Sequence, residues 1–336
     1  MPSSKIKLSV IVLFYHGGRW IESLMHSLEN QSLSRHLYEI IIVDNGGSTP
    51  SVDRYKEQKN VQVLHFSMNY GFAGGNNKAL NYAQGDIILL MNQDIVVHFN
   101  CLEEILNAFD NNPDAGAISA NMSMVSSAND IDRFSYSLKK AGFYTLSPFG
   151  YASYRVIKTE RDFVSVVFVS GNGLGFRKKI IRDLDGYLFD SKLGSYMEDL
   201  DLSIRLKDAG RKMYVWRKAL IFHYRDDAFS GKPSQMLRKL IHISSNRLIV
   251  YLNRLSTMDY LKKLPFLLLG IPLKVARKDG GKNFNLFRFM VAFGFTPFIF
   301  IYSWFKFFIT WGNDMNDGVL RTIDEPYLPN DDVVKR

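Results

Sequence analysis

Along the first 120 residues, apolar runs of strand length alternate with segments whose apolar positions recur at helical spacing. That alternation is the signature of repeated βαβ units around a largely parallel sheet. Strands are predicted at Leu8–Tyr15, Tyr38–Val43, Val61–Phe66, Asp86–Met91 and Ala115–Ser119. Helices are predicted at Trp20–Gln31, Ser51–Lys59, Asn76–Ala83 and Cys101–Asn111. Ligands of such open sheets sit beyond the carboxyl ends of the strands. Residues 122–160 are poor in periodicity and rich in Ser, Tyr and Gly, and read as irregular structure leading into an edge strand. A second cluster follows: a strand at Asp162–Val169, a turn at Gly171–Gly175, a helix at Glu198–Ala209, and short strands at Lys212–Val215 and Ala219–His223.

From Pro233 the pattern changes to long, basic, amphipathic helical segments, and Phe284–Trp311 is heavily aromatic and aliphatic. Its stretch Phe289–Phe305 holds 17 residues without a charge, the lower end of the roughly 17–25 that span a bilayer. With Pro297 inside it and Arg288 and Lys306 flanking it, a helix lying in the headgroup layer is preferred to a single span. The organisation expected is therefore a domain over 1–232, with halves 1–121 and 122–232, then a helical membrane-associating region over 233–312 and an acidic tail over 313–336.

Composition narrows the classes. At 46 % apolar over 336 residues the chain is globular, and its one cysteine, Cys101, excludes an intramolecular disulfide and fits a reducing compartment. The net charge of +9 is unevenly placed: residues 204–312 hold 20 Lys/Arg against 5 Asp/Glu, and the last 24 residues hold 3 against 6. Basic charge beside aromatic runs suits an anionic membrane surface. No DNA or RNA module is recognisable, so a nucleic-acid partner is not expected. Lys5-Ile6-Lys7 before an apolar run has the look of a signal peptide, but no small-residue cleavage site follows and His16–Arg19 breaks the run, which reads instead as a buried strand.

Several polar positions fall where such a sheet binds ligands. Asp44 closes the second strand in VDNGGS, where a carboxylate can accept the imide N–H of a pyrimidine or simply stabilise the turn. Asn69–Asn77, NYGFAGGNN, is a glycine-rich loop entering a helix, able to offer backbone N–H groups and amides to a nucleotide. A dinucleotide fingerprint would follow the first strand, which here runs into YHGGR, so an NAD-dependent oxidoreductase is poorly supported. Asp94, just past the fourth strand in LMNQD, can coordinate a hard cation on a diphosphate, or be a plain loop aspartate; Asn92 precedes it by two positions. Glu198 and Asp199 open a helix, where paired carboxylates serve as base and partner or merely as helix-dipole acids. His223 ends a strand and is either a metal ligand or structural.

The ordered set VDNGGS, NYGFAGGNN, LMNQD, SGNGLGFR, EDLDL and the late FH resembles glycosyltransferase family 2, in its rhamnosyltransferase-like branch, over about residues 7–230. The resemblance implies an α/β GT-A fold, a Rossmann-like nucleotide-binding sheet continuous with an acceptor half, and sugar transfer with inversion. It implies that Asp44 binds uracil or thymine with Tyr15 near it. Asn69, Gly71, Phe72, Asn76 and Asn77 would line nucleotide and donor sugar, with Asn92 beside them. Asp94 would hold Mg²⁺ or Mn²⁺ with His223 as a second contact. Asp199 would be the base, supported by Glu198, and Gly171, Asn172 and Gly173 would face the acceptor. Asn92 stands where many members carry a second acid, and Ser230-Gly231 would belong to a loop closing over the donor. The function so implied is transfer of L-rhamnose from dTDP-L-rhamnose to a lipid-linked saccharide in bacterial surface-polysaccharide assembly, at the cytoplasmic face of the membrane. UDP-galactofuranose, UDP-N-acetylglucosamine or a catalytically silent nucleotide-sugar-binding scaffold are the alternatives.

Overall fold

The computed structural model describes residues 5–15, 20–47, 50–126, 139–224, 233–276 and 285–316. Ser230-Gly231 and residues 317–336 of the acidic tail lie outside them, as do His16–Arg19 and Ser48. The described residues fall into two compact units, one drawn from Met1–Thr145 and Tyr154–Ala228, the other from Leu146–Ser153 and Phe229–Thr322.

The first unit is mixed α/β. Strands β1 (Leu8–Phe14), β2 (Tyr38–Asp44), β3 (Val61–His65) and β4 (Ile87–Asn92) lie side by side in the order β3-β2-β1-β4 and run parallel. The sheet continues through β10 (Leu174–Arg177), β6 (Ala115–Val125) and β11 (Lys212–Tyr224) to β5 (Ile95–Val97), with β9 (Phe163–Val166) also on β11. β6 and β11 keep the common direction, whereas β5, β9 and β10 oppose it. Helices α1 (Ile21–Glu29) and α3 (Cys101–Asn111) cover one face; α2 (Gly71–Ala79) and α4 (Glu198–Asp208) cover the other.

The uninterrupted apolar run of β1 follows from that sandwiching. Val10 and Val12 pack with Leu24, Met25 and Phe109 on one face, while Ile11 packs with Ala73, Ala79 and Leu80 on the other. A strand buried on both faces has no polar alternation to show. Each fully buried side chain of this kind contributes about 1.5–3 kcal/mol.

Several elements differ from the sequence expectation. Residues 122–160 are more regular than predicted: β6 runs on to Val125, and β7 (Lys140–Leu146) with β8 (Ala152–Lys158) forms a separate two-stranded sheet. The two short strands predicted over 212–223 are one strand, β11, whose register against β6 shifts between Trp216 and Leu220. That irregularity carries Arg217 and Lys218, both paired with Asp162, so the charges that broke the apolar pattern sit at a bulge and not in a loop. The helix predicted over 51–59 is a 3-10 turn, Pro50–Tyr55.

The second unit is helical: α5 (Pro233–Arg254), α6 (Thr257–Ala276) and α7 (Leu286–Asn316) pack on one another. Arg247 of α5 is fully buried, donating to the carbonyls of Phe149 (2.5 Å) and Leu267 (2.6 Å) with its guanidinium over the Tyr151 ring at 3.8 Å. The segment Leu286–Thr310 of α7 is long and apolar enough, by length and composition, to cross a membrane.

Candidate active site

β1 lies between β2 and β4, so the chain winds one way through β2 and β3 and the other way through β4. Ligands of open α/β sheets bind at that reversal, beyond the strand ends. Phe14 is level with Asp44 and Leu13 with Asn92, so the three strands end together. A cleft of about 260 Å³ opens there, lined by Leu13, Tyr15, Asn45, Asn69, Gly71, Phe72, Asn92, Gln93, Asp94 and Ser195. Of the residues singled out in the sequence, Tyr15, Asn69, Gly71, Phe72, Asn92 and Asp94 are on its wall.

The wall is built from amides that hold one another. Asn45 donates to Asn69 Oδ1 (3.1 Å) and to the Gly71 carbonyl (3.0 Å), and accepts from the Tyr70 N–H (3.1 Å). Asn69 Oδ1 in turn accepts from the Gly71 N–H at 2.8 Å. Tyr15 N–H donates to Gln93 Oε1 (3.2 Å), and Phe72 N–H donates to Ser195 Oγ (3.0 Å). Asn45, Gln93 and Ser195 were not picked out in the sequence. Asn45 and Gln93 each adjoin a residue that was, whereas Ser195 has no local signal, because a loop 123 positions away brings it to Phe72.

The glycines of α2 have a packing role. A Cβ on Gly75 would stand 2.7 Å from Leu13 Cδ1 and 3.1 Å from Asn45 Nδ2, so only glycine lets the helix lie this close to β1. The helix begins at Gly71, earlier than the predicted Asn76. Asn76 therefore falls inside it, buried and donating to the Phe72 carbonyl at 2.9 Å, and Asn77 exchanges hydrogen bonds with the backbone of Phe189 (2.6 and 3.1 Å).

Asp94 meets His223 across the β5–β11 pairing, with His223 Nε2 3.4 Å from Asp94 Oδ2. Asp94 Oδ1 is buried with no hydrogen-bond partner, and a buried acceptor left so is costly unless something binds it. Among the described residues no group of three or more His, Cys, Asp or Glu could hold a metal ion. One carboxylate beside a histidine fits a Mg²⁺-like ion that takes its other ligands from water and substrate phosphates.

Asp44 is 1 % exposed and is not on the cleft wall, although the next residue, Asn45, is. Its Oδ1 accepts from the Gly47 N–H (2.9 Å) and its Oδ2 faces His65 Nδ1 (3.2 Å).

Glu198 and Asp199 open α4 directly after Tyr196 (φ 69°) and Met197 (φ 73°), two consecutive non-glycine residues in the left-handed region. Such conformations cost about 1–3 kcal/mol each and persist where surroundings enforce them. Burial raises the Asp199 carboxyl from its ordinary value to about 6, against opposing hydrogen bonds from the Leu200 and Gly171 N–H groups. Burial, with Asp199 and Asp201 beside it, pushes Glu198 well above the carboxylate range, and Glu198 Oε2 has no partner. Asp201 is bound by Arg205 at 2.8 Å.

Gly171 ties this helix to the cleft: its N–H reaches Asp199, and a Cβ on it would lie 2.7 Å from the Phe72 ring. Asn172 Oδ1 accepts from the Asn92 N–H at 3.2 Å. Gly173 (φ 70°) pairs its N–H with Leu90 and its carbonyl with Ala120, inside the sheet.

The family model described as Glycosyl transferase family 2 matches residues 9–185, which is more than half of the chain. The chain belongs to that family. Within it, the chain is similar to the N-acetylglucosaminyl-diphospho-decaprenol L-rhamnosyltransferase of Mycobacterium tuberculosis, 26 % identical over 68 % of this chain and 80 % of the relative. It is also similar to the poly(ribitol-phosphate) beta-N-acetylglucosaminyltransferase TarS of Staphylococcus aureus, 28 % identical over 30 % of this chain, a stretch that is only 18 % of TarS. Crystal structures of S. aureus TarS 1–349 share the fold, with a TM-score of 0.52 at 17 % identity over 94 % of this chain and 93 % of that one. GalNAc-T7, crystallised with UDP, GalNAc and Mn²⁺, gives a TM-score of 0.62 at 13 % identity over 87 % of this chain and 56 % of that one. The family 2 glycosyltransferase and its GT-A-like sheet expected from the sequence are thus both found.

Proposed function

We propose that this family 2 glycosyltransferase is an inverting, cation-dependent enzyme that moves a sugar from a nucleoside diphosphate donor to a lipid-linked saccharide. The observation that carries the reading is the Asp94–His223 pair, with its unpartnered buried carboxylate oxygen, whose Asp94 lines a cleft at the carboxyl ends of β1, β2 and β4. Among the described residues on the cleft wall none is basic, and a cation there would offset the charge of a bound diphosphate. Asp94 and His223 would hold that Mg²⁺ or Mn²⁺, which when bound neutralises charge on the departing nucleoside diphosphate.

Asp199 is the proposed base, taking the proton of an acceptor hydroxyl as that oxygen attacks the anomeric carbon. Glu198, whose carboxyl is pushed up by burial and by the neighbouring Asp199, supports it from the adjacent position. Tyr15, Asn69, Gly71, Phe72 and Asn92 would contact donor, with Asp44 recognising the base, and Gly171 and Asn172 would border the acceptor. L-Rhamnose from dTDP-L-rhamnose is the preferred donor, favoured by the relative whose match extends over 68 % of this chain. TarS structures with UDP-GlcNAc keep a UDP sugar as the second reading. The helical region 233–312 is proposed to sit at the cytoplasmic face of the membrane, supported by its apolar helix and basic charge.

Calorimetric titration with dTDP and UDP, with and without Mn²⁺, tests the site on wild type and Asp94→Ala. Metal-dependent binding lost in Asp94→Ala is expected. Absence of binding to either nucleotide would favour the scaffold alternative, and a donor panel with lipid-linked acceptor then decides the sugar.

A further inference from the structure

Four ionisable side chains form a line beside the carboxyl ends of β2 and β3. Asp44 ends β2 and His65 ends β3, and the parallel register places them directly opposite one another. His65 Nδ1 lies 3.2 Å from Asp44 Oδ2, and its Nε2 lies 2.6 Å from Oδ1 of Asp53, in the 3-10 turn Pro50–Tyr55. Lys56 Nζ closes the line 2.9 Å from the same Asp53 oxygen. The interior members are covered: side-chain exposure is 1 % for Asp44 and 13 % for His65, against 37 % for Asp53.

Both ring nitrogens therefore face carboxylate oxygens. A neutral imidazole carries one N–H and donates to one of them only, leaving a lone pair against the other; an imidazolium donates to both. Held this way, His65 fixes the Asp44 rotamer from one oxygen, while the Gly47 N–H fixes the other. Asp53, drawn below the ordinary carboxylate range by its hydrogen bonds to Lys56 and then His65, remains an anion that holds the ring in place.

We propose that His65, braced by Asp53, is a specificity-determining positioning residue that sets base selection through Asp44. This rests on the reading of Asp44 as the base-recognising carboxylate. At ring position N3, uracil and thymine present an N–H donor, whereas cytosine presents a lone pair. A correctly oriented Asp44 carboxylate accepts from the first and repels the second. Without His65 the carboxylate loses the contact that orients it, so discrimination falls more than affinity for the phosphates.

The test titrates wild type, His65→Ala, His65→Gln and Asp53→Asn with UDP, CDP and pyrophosphate in Mn²⁺, with thermal melting of each. Wild type is expected to favour UDP over CDP. In His65→Ala the UDP affinity should drop about tenfold, the worth of one charge-assisted hydrogen bond, and the UDP-to-CDP ratio should narrow by a similar factor, with pyrophosphate binding unchanged. His65→Gln and Asp53→Asn should fall between, because each leaves one link of the line. An unchanged UDP-to-CDP ratio in His65→Ala, with pyrophosphate still bound, would overturn the assignment while leaving the nucleotide site standing. Wild type that binds pyrophosphate but neither nucleotide would overturn the base-site reading and this inference with it.

Discussion

As the proposed base, Asp199 would couple catalysis and stability in opposite senses. Its carboxyl is raised by burial to about 6 from an ordinary 3.8, so in the proposed role it is ionised above pH 6 and is protonated as pH falls through 6. Below that value kcat/KM should fall tenfold per pH unit, measured as donor turnover at saturating metal. Stability runs the other way: the fold favours the neutral acid, so the contribution is full below 3.8 and is lost as pH rises through 6. Asp199→Asn removes the charge and keeps the shape, so turnover should drop by about 10²–10⁴ while the melting temperature at pH 7.5 stays equal or rises; a parallel loss of both would mark a structural role. The four acids Asp44, Asp94, Glu198 and Asp199 could be singled out in the sequence because each lies at or just beyond the end of an element whose apolar pattern is plain. His65 was not, because it lies within the predicted strand Val61–Phe66 and its partner Asp44 is set opposite it only by the β2–β3 register. Asn76 and Asn77 stood out as amides beside glycines, yet their amides bond within the protein, a distinction that depends on where the helix begins.

Helix α4 carries the proposed base and is held by a buried ion pair that also anchors a loop. Arg205 Nε donates to Asp201 Oδ2 at 2.8 Å, and the rest of its guanidinium donates to the carbonyls of Leu184 (3.2 Å), Tyr187 (3.1 Å) and Leu188. Breaking such a pair from one side strands a buried charge, at about 3–5 kcal/mol. Arg205→Met should therefore lower stability by that order in urea unfolding, and adding Asp201→Leu should recover part of it; recovery to nothing would mean that the carbonyl contacts, not the charge, hold α4. At Gly173 a Cβ would lie 2.5 Å from Ile221 Cδ1 on a backbone with φ 70°, so Gly173→Ala meets both crowding and conformational strain. A loss of about 1–3 kcal/mol is expected from the same measurement. Strands and helices of the amino-terminal half were readable because burial on both faces writes long apolar runs. The β7–β8 hairpin and the continuity of β11 were not, since Tyr144 and Tyr154 pair across that hairpin and Asp162 neutralises Arg217 and Lys218 only after folding.

At the scale of the whole chain, the change of pattern at Pro233 and the excess of basic charge mark a helical region, and composition alone makes both visible. What composition hides is which face of α7 turns inward. The buried positions are Ala292, Thr296, Ile299 and Ser303, three or four apart and all but Ile299 small, and Thr296 and Ser303 satisfy their hydroxyls on the carbonyls of Ala292 and Ile299. The outward face carries Phe287, Phe293, Phe298, Phe305 and Ile309, each at least 56 % exposed. A soluble helix places its large apolar residues inward; small residues inward and aromatics outward is the arrangement of helices whose solvent is lipid. The apolar stretch is 25 residues, about 37 Å of helix against a hydrocarbon core of about 30 Å, long enough to cross with tilt or to lie along the interface. Vesicles distinguish the two. If α7 anchors the protein in the proposed way, the full chain should co-sediment with vesicles containing anionic phospholipid, and replacing Phe293, Phe298 and Phe305 together with Ser should abolish this at high salt. Retention after alkaline carbonate washing would indicate insertion, and release by it an interfacial helix. Sedimentation lost equally by wild type and variant once salt is raised would mean that the basic residues alone hold the surface, since electrostatic attraction is screened within about 10 Å at 0.1 M salt and burial of phenylalanine is not.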